Sequence, residues 1–213
     1  MTIKKKYILL LEAILCSFAL MIFSFFIHSE LPFRVLAIAA LFLPAWFFSR
    51  NLQSLSDLRR IVYVPDSLTI TVLYCLAGIL PGLLFAMLYR WHLGIRLFPE
   101  SFHLLVLVAA LIGCTEELVF RGFIQDQVKN INAPFSILFS TISHTAYKCC
   151  LFLSPMLTAE IDIGFLALWT LIGGILLGTV KHISKSILPP MIAHALFDLL
   201  VYAGFINPPW WVW

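Results

Sequence analysis

The stretch "GCTEELVFRG", Gly113 to Gly122, places two adjacent carboxylates, Glu116 and Glu117, and the guanidinium of Arg121 directly after the uncharged run "FHLLVLVAALI". In apolar surroundings each of these groups is costly unless it is paired or used, so intramembrane ionisable residues are functional candidates by default. Neighbouring positions on a helix point about 100° apart, so the two carboxylates cannot serve one site in the same way. Glu117 and Arg121 are four residues apart and can pair along one face. That leaves Glu116 for chemistry. The structural alternative is an ion cluster made of all three.

Five further groups belong to the same inventory. His144 stands in "SILFSTISHTAYK", where a hydrogen-bonded packing histidine is the plainer reading. His194 and Asp198 in "PPMIAHALFDLL" are four apart and share a face, so the carboxylate can orient the imidazole or simply pair with it. Lys148 is one turn from His144 and can snorkel toward an interface, and Glu12 stands alone in the first apolar run, with Arg34 as one available partner. Burial raises a carboxyl group toward the range of a general base, so a buried glutamate beside a histidine can hold and deprotonate a water molecule. A second histidine with its carboxylate can donate hydrogen bonds to a developing oxyanion. Together these groups make a hydrolase of amide bonds that needs no serine or cysteine nucleophile. A zinc reading competes, with Glu116, His144 and His194 as three ligands and an open fourth position, but His-Glu-x-x-His is absent. Non-enzymatic readings also stand: a membrane scaffold, an immunity protein, or a transporter, although no inverted repeat is visible.

The elements that must position these residues are membrane helices. Of the 213 residues, 62% are apolar and 12% charged, against about half and a quarter in a soluble domain. The expected fold is all-α: a polytopic membrane helical bundle, one integral domain over 1–213. Seven runs approach the roughly 20 residues that a span needs: Tyr7–Ile27, Leu31–Phe48, Leu68–Leu88, Phe102–Gln125, Ala133–Leu153, Gly164–Val180 and Ile187–Phe205. The second carries Arg34 and Pro44 and is expected to tilt, kink or begin late. The first follows "MTIKKK" without a small-x-small cleavage site and reads as an uncleaved span. The connection "RNLQSLSDLRRIVYV" reads as cytoplasmic, with an interfacial helix as the alternative, and the tail "NPPWWVW" as an aromatic anchor.

With the N-terminus inside, nine basic residues (Lys4, Lys5, Lys6, Arg50, Arg59, Arg60, Lys129, Lys181, Lys185) face the cytoplasm and three (Arg34, Arg90, Arg96) the exterior. That asymmetry predicts N-in and C-out in the inner, cytoplasmic membrane. At about 1.5 Å rise per residue, Glu116, His144 and His194 lie roughly 15, 16 and 10 Å from the inner ends of their spans. A shared level is not what independent structural accidents produce, and a wet cavity explains how the groups are tolerated. The net charge of +3 and the scattered basic residues exclude a nucleic-acid groove. All five cysteines fall in apolar runs and read as buried thiols.

The motifs resemble a family. "EELVFR" fits the Glu-Glu-x-x-x-Arg motif, and "HALFD" the His-x-x-x-Asn/Asp motif, of the CAAX prenyl endopeptidase and bacteriocin-processing family, also called Abi or type II CAAX proteases. The resemblance covers roughly 104–202. The family's second motif, Phe-x-x-x-His, is altered: Phe139 precedes His144 by five residues, and Ser140 stands at the aromatic position. The resemblance implies a metal-free, cofactor-free glutamic intramembrane endopeptidase, with Glu116 and His144 activating water. It implies that Glu117 and Arg121 hold the site together and that His194 and Asp198 form the oxyanion pocket. Membrane lipid and a peptide or protein tail near a C-terminus or leader are the implied partners, and a sorting-tail processing enzyme is one form this takes.

Overall fold

The computed structural model describes residues 3–52, 54–62, 67–154 and 162–203. The aromatic tail expected at 207–213 lies outside the described residues. Among the described residues the chain is helical with no strand: α1 Ile3–Phe26, α2 Phe33–Ala40, α3 Phe42–Asn51, α4 Leu55–Val62, α5 Leu68–His92, α6 Leu105–Glu117, a π-helical segment Leu118–Ile124, α7 Gln125–Val128, α8 Ala133–Phe152, α9 Ile163–Ser184 and α10 Leu188–Val201.

Four helical stretches are long and apolar enough to cross a membrane by length and composition: Lys4–Phe26, Phe33–Asn51, Leu68–His92 and Ile163–Ser184. The other three expected spans are the ones that carry the candidate site residues. One is divided by the π-helical segment, one (α8) buries Ser136, Ser140, Thr141, Ser143, His144 and Thr145, and one (α10) has only 14 residues. Of these, α10 is apolar but short, and α8 is the one whose polar side chains lower its apolarity. The long helices show the opposite pattern on their outer faces. Leu11, Leu15, Phe18 and Ile22 on α1, and Leu73, Leu76, Leu80 and Leu84 on α5, are exposed at helical spacing, as lipid-facing stripes are. The protein is a multi-pass membrane protein.

Local chemistry explains the element ends. The second span breaks at Leu41 because Pro44 has no N–H for the carbonyl of Ala40, and Leu41 N–H turns to Ile38 O instead (3.1 Å). The connection after α3 contains α4, whose start is a reciprocal cap: Ser54 N–H donates to Asp57 Oδ2 (3.1 Å) and Asp57 N–H to Ser54 Oγ (3.2 Å). Asn132 Oδ1 caps α8 by accepting from Phe135 N–H (2.7 Å), with Pro134 in the first turn. Pro189 and Pro190 open α10 in the same way.

The chain forms two compact units, one of Met1–Leu58 and Phe120–Gly178, the other of Arg59–Val119 and Thr179–Trp213. In the first, α1 packs on α2, α3, α7 and α8. Glu12 is buried there and pairs with Arg50 of α3, while Arg34 Nε donates to Ser29 O (3.0 Å). Between α1 and α2, outside the spans, burial and then the nearby Arg34 charge hold His28 below the usual imidazole value. In the second unit, α10 packs on α5 and α6. The approach is close because Gly78 and Gly82 offer no side chain: a Cβ there would stand 2.6 Å from Pro189 O and 2.6 Å from Ala193 O respectively. Arg90 at the end of α5 is buried, donating from Nη1 to Leu200 O (2.7 Å) and from Nε to Arg96 O (2.6 Å), so it ties down the C-terminal end of α10.

Candidate active site

Four of the six candidate residues come together in the second unit. Glu116 and Glu117 end α6, and His194 and Asp198 are one turn apart on α10. His194 Nδ1 lies 2.9 Å from Glu117 Oε1. On the other side of the ring, Nε2 lies 3.7 Å from Glu116 Oε2 and 3.9 Å from Asp198 Oδ2, which are ion-pair rather than hydrogen-bond distances. The two carboxylates that diverge on α6 are therefore bridged by one imidazole, each approaching a different ring nitrogen. A carboxylate only accepts, so Nδ1–H donates to Glu117, and that fixes the ring's orientation.

Gly113 makes this possible. It lies one turn before Glu116 and Glu117, and a Cβ on it would stand 2.3 Å from Asp198 Oδ2 and 2.9 Å from His194 Cδ2. The Asp198 carboxylate and the His194 ring thus rest on bare α6 backbone. Glu116, Glu117 and Asp198 are all buried, Glu117 completely.

Arg121 and His144 meet in the first unit. Arg121 Nη1 lies 2.7 Å from His144 Nδ1, and both side chains are buried. The chain from Leu118 to Ile124 is π-helical, an i→i+5 turn that carries both Phe120 and Arg121. Arg121 donates to His144, and Glu117 accepts from His194.

The altered second motif also has a structural account. The Phe120 ring stacks on His144, with centroids 4.4 Å apart and planes at 24°. Ser140 Oγ donates to Phe120 O (2.8 Å), and Phe139 stacks instead on Phe135. The aromatic neighbour of the histidine thus comes from inside "EELVFR", and the small Ser140 anchors the backbone that carries it. The sequence alone assigns no role at the site or its support to Phe120, Ser140, Gly113 or Arg90. Gly78-x-x-x-Gly82 was a readable signal of close helix approach; the others needed a known facing helix. Among the described residues, no group of three or more His, Cys, Asp or Glu is placed to hold a metal ion.

Residues 97–200, a little under half of the chain, match the family model described as Rce1-like, Type II CAAX prenyl endopeptidase Rce1-like. The match spans α6, the π-helical segment, α8 and nearly all of α10, and it bears out the resemblance read from the motifs. The family that the model describes is one of CAAX-type membrane endopeptidases, and this segment is similar to it. A comparison with curated proteins and one with solved structures each found no match.

Proposed function

We propose that this protein is a glutamate-dependent intramembrane endopeptidase, cutting peptide bonds near the C-terminus or leader of membrane-associated peptides or proteins. The observation that carries the reading is the partly buried imidazole of His194 set among the buried Glu117, Glu116 and Asp198 within the segment that matches a membrane endopeptidase family. Four titratable groups held together in an apolar helical setting are costly as structure alone and apt as machinery.

In this reading, Glu116 is the general base. It takes a proton from a water molecule, whose oxygen attacks the scissile carbonyl, and later delivers that proton to the leaving amine as the C–N bond breaks. Nδ1–H of His194 is committed to Glu117. A second proton on Nε2 makes the ring a donor to the oxyanion, its charge balanced by Glu116 and Asp198. His144 joins the reaction by the family's motif, contacting the water or the oxyanion. Arg121 and Glu117 orient the two histidines. The lysine and arginine distribution supports an N-terminus in the cytoplasm and an inner-membrane location, and the sorting tails of exported proteins are the substrates this favours.

The test is cleavage in detergent by the purified protein of membrane-anchored peptides with candidate tails, with and without a lipid on the tail. The reading predicts one cut near the anchored end, undiminished by chelators. Activity lost to a chelator and restored by stoichiometric zinc would replace the glutamate mechanism with a metal-dependent one.

A further inference from the structure

We infer that Arg121 is a positioning residue that fixes the tautomer of His144, so that His144 works as an Nε2–H hydrogen-bond donor and takes no proton from water. This deepens the hydrolase reading and rests on it for the role of His144. The tautomer itself rests only on the contacts of His144.

A guanidinium carries five N–H donors, no acceptor, and keeps its charge in proteins. Arg121 Nη1 stands 2.7 Å from His144 Nδ1, so Nδ1 must accept, and an accepting Nδ1 bears no proton. A neutral imidazole with a bare Nδ1 carries its proton on Nε2. The ring cannot turn over to exchange the two nitrogens freely, because it is buried and Phe120 stacks on its face at 4.4 Å. The stack is itself held, since Ser140 Oγ donates to the carbonyl of Phe120. Arg121 and Phe120 both belong to the π-helical segment, so one irregular turn supplies both the ring's hydrogen-bond donor and its stacking partner.

The two histidines are thereby set in opposite senses. His194 faces a carboxylate through Nδ1 and carries a proton there; His144 faces a guanidinium through Nδ1 and carries its proton on the far nitrogen. A ring with Nε2–H offers an oxygen a hydrogen bond and has no lone pair there for a proton. Proton abstraction falls to the carboxylate, and His144 steadies the oxygen of the water or of the tetrahedral intermediate.

Two measurements decide it. Nitrogen NMR on protein labelled at histidine, with His144→Gln identifying the signal, reads the tautomer without substrate; the expected result is Nε2–H in the parent and in Arg121→Lys. A proton on Nδ1 of His144 overturns the inference. The second is kinetic. Removing one oxyanion-type donor costs on the order of 100- to 1000-fold, so His144→Ala falls by that much, and His144→Gln, whose amide N–H sits where Nε2 stood, recovers about tenfold or more. A Gln variant as inactive as the Ala variant, with the parent's fold retained, overturns the donor role. If no peptide is cleaved at all, the hydrolase reading fails, while the spectrum still decides the tautomer.

Discussion

The ion pair between Glu12 and Arg50 is the simplest place to see how burial sets the worth of a charge. Glu12 is 8% exposed at its side chain and Arg50 46%, so the two partners do not lose the same thing when separated. Arg50→Ala strands a buried carboxylate and is expected to cost about 1–3 kcal/mol in a detergent melt. Glu12→Ala leaves a half-exposed guanidinium that returns to water, at a cost of about 1 kcal/mol or less. Equal losses would mean that the pair is solvated on both sides. The same logic separates the legible from the illegible residues of the candidate site. Glu116, Glu117, Arg121, His144, His194 and Asp198 stood out because charge in an apolar run is conspicuous. Their contacts across other elements did not: Glu117 bonds His194 and Arg121 bonds His144, and neither contact follows from spacing along one helix.

At the scale of elements, apolar runs located the helices well, and the irregularities carry the site. A period of 3.6 residues gives no hint of a π-helical turn, whose cause lies in the packing of what flanks it. The glycines are similar. Gly113 in isolation is a mild helix breaker; only α10 lying against it shows that a side chain has no room there. Gly113→Ala is expected to displace Asp198 and His194 and cut activity about 100-fold, with an overpacking cost of about 1–3 kcal/mol. Gly82→Ala, forced against Ala193 O, should weaken the seat of α10 by a similar amount, while Leu84→Ala on the lipid-facing stripe leaves the melt nearly unchanged. A Gly113→Ala variant with the parent's rate would show that α10 does not depend on that bare backbone.

For the molecule as a whole, composition alone was decisive for a helical membrane protein. It was less decisive for α8, which buries six hydroxyl or imidazole side chains in one helix, because polar side chains erode the hydropathy signal. Orientation is a property of the charges outside the spans. Single cysteines placed at Lys6 and Lys129 in a chain lacking native cysteines should react with a membrane-impermeant thiol reagent only from the cytoplasmic side, and one at Arg96 only from the exterior. Labelling of all three from one side would change the number of crossings between them and move the site to the opposite leaflet.

The claim on which the rest depends is that Glu116 is the base, and Glu116→Gln tests it most directly. Glutamine keeps the size and the hydrogen-bonding reach of glutamate but cannot take a proton from water at neutral pH. The account predicts a variant that folds and binds its peptide substrate like the parent while cleavage falls by on the order of a thousandfold or more. Cleavage near the parent's rate by folded Glu116→Gln protein would contradict it.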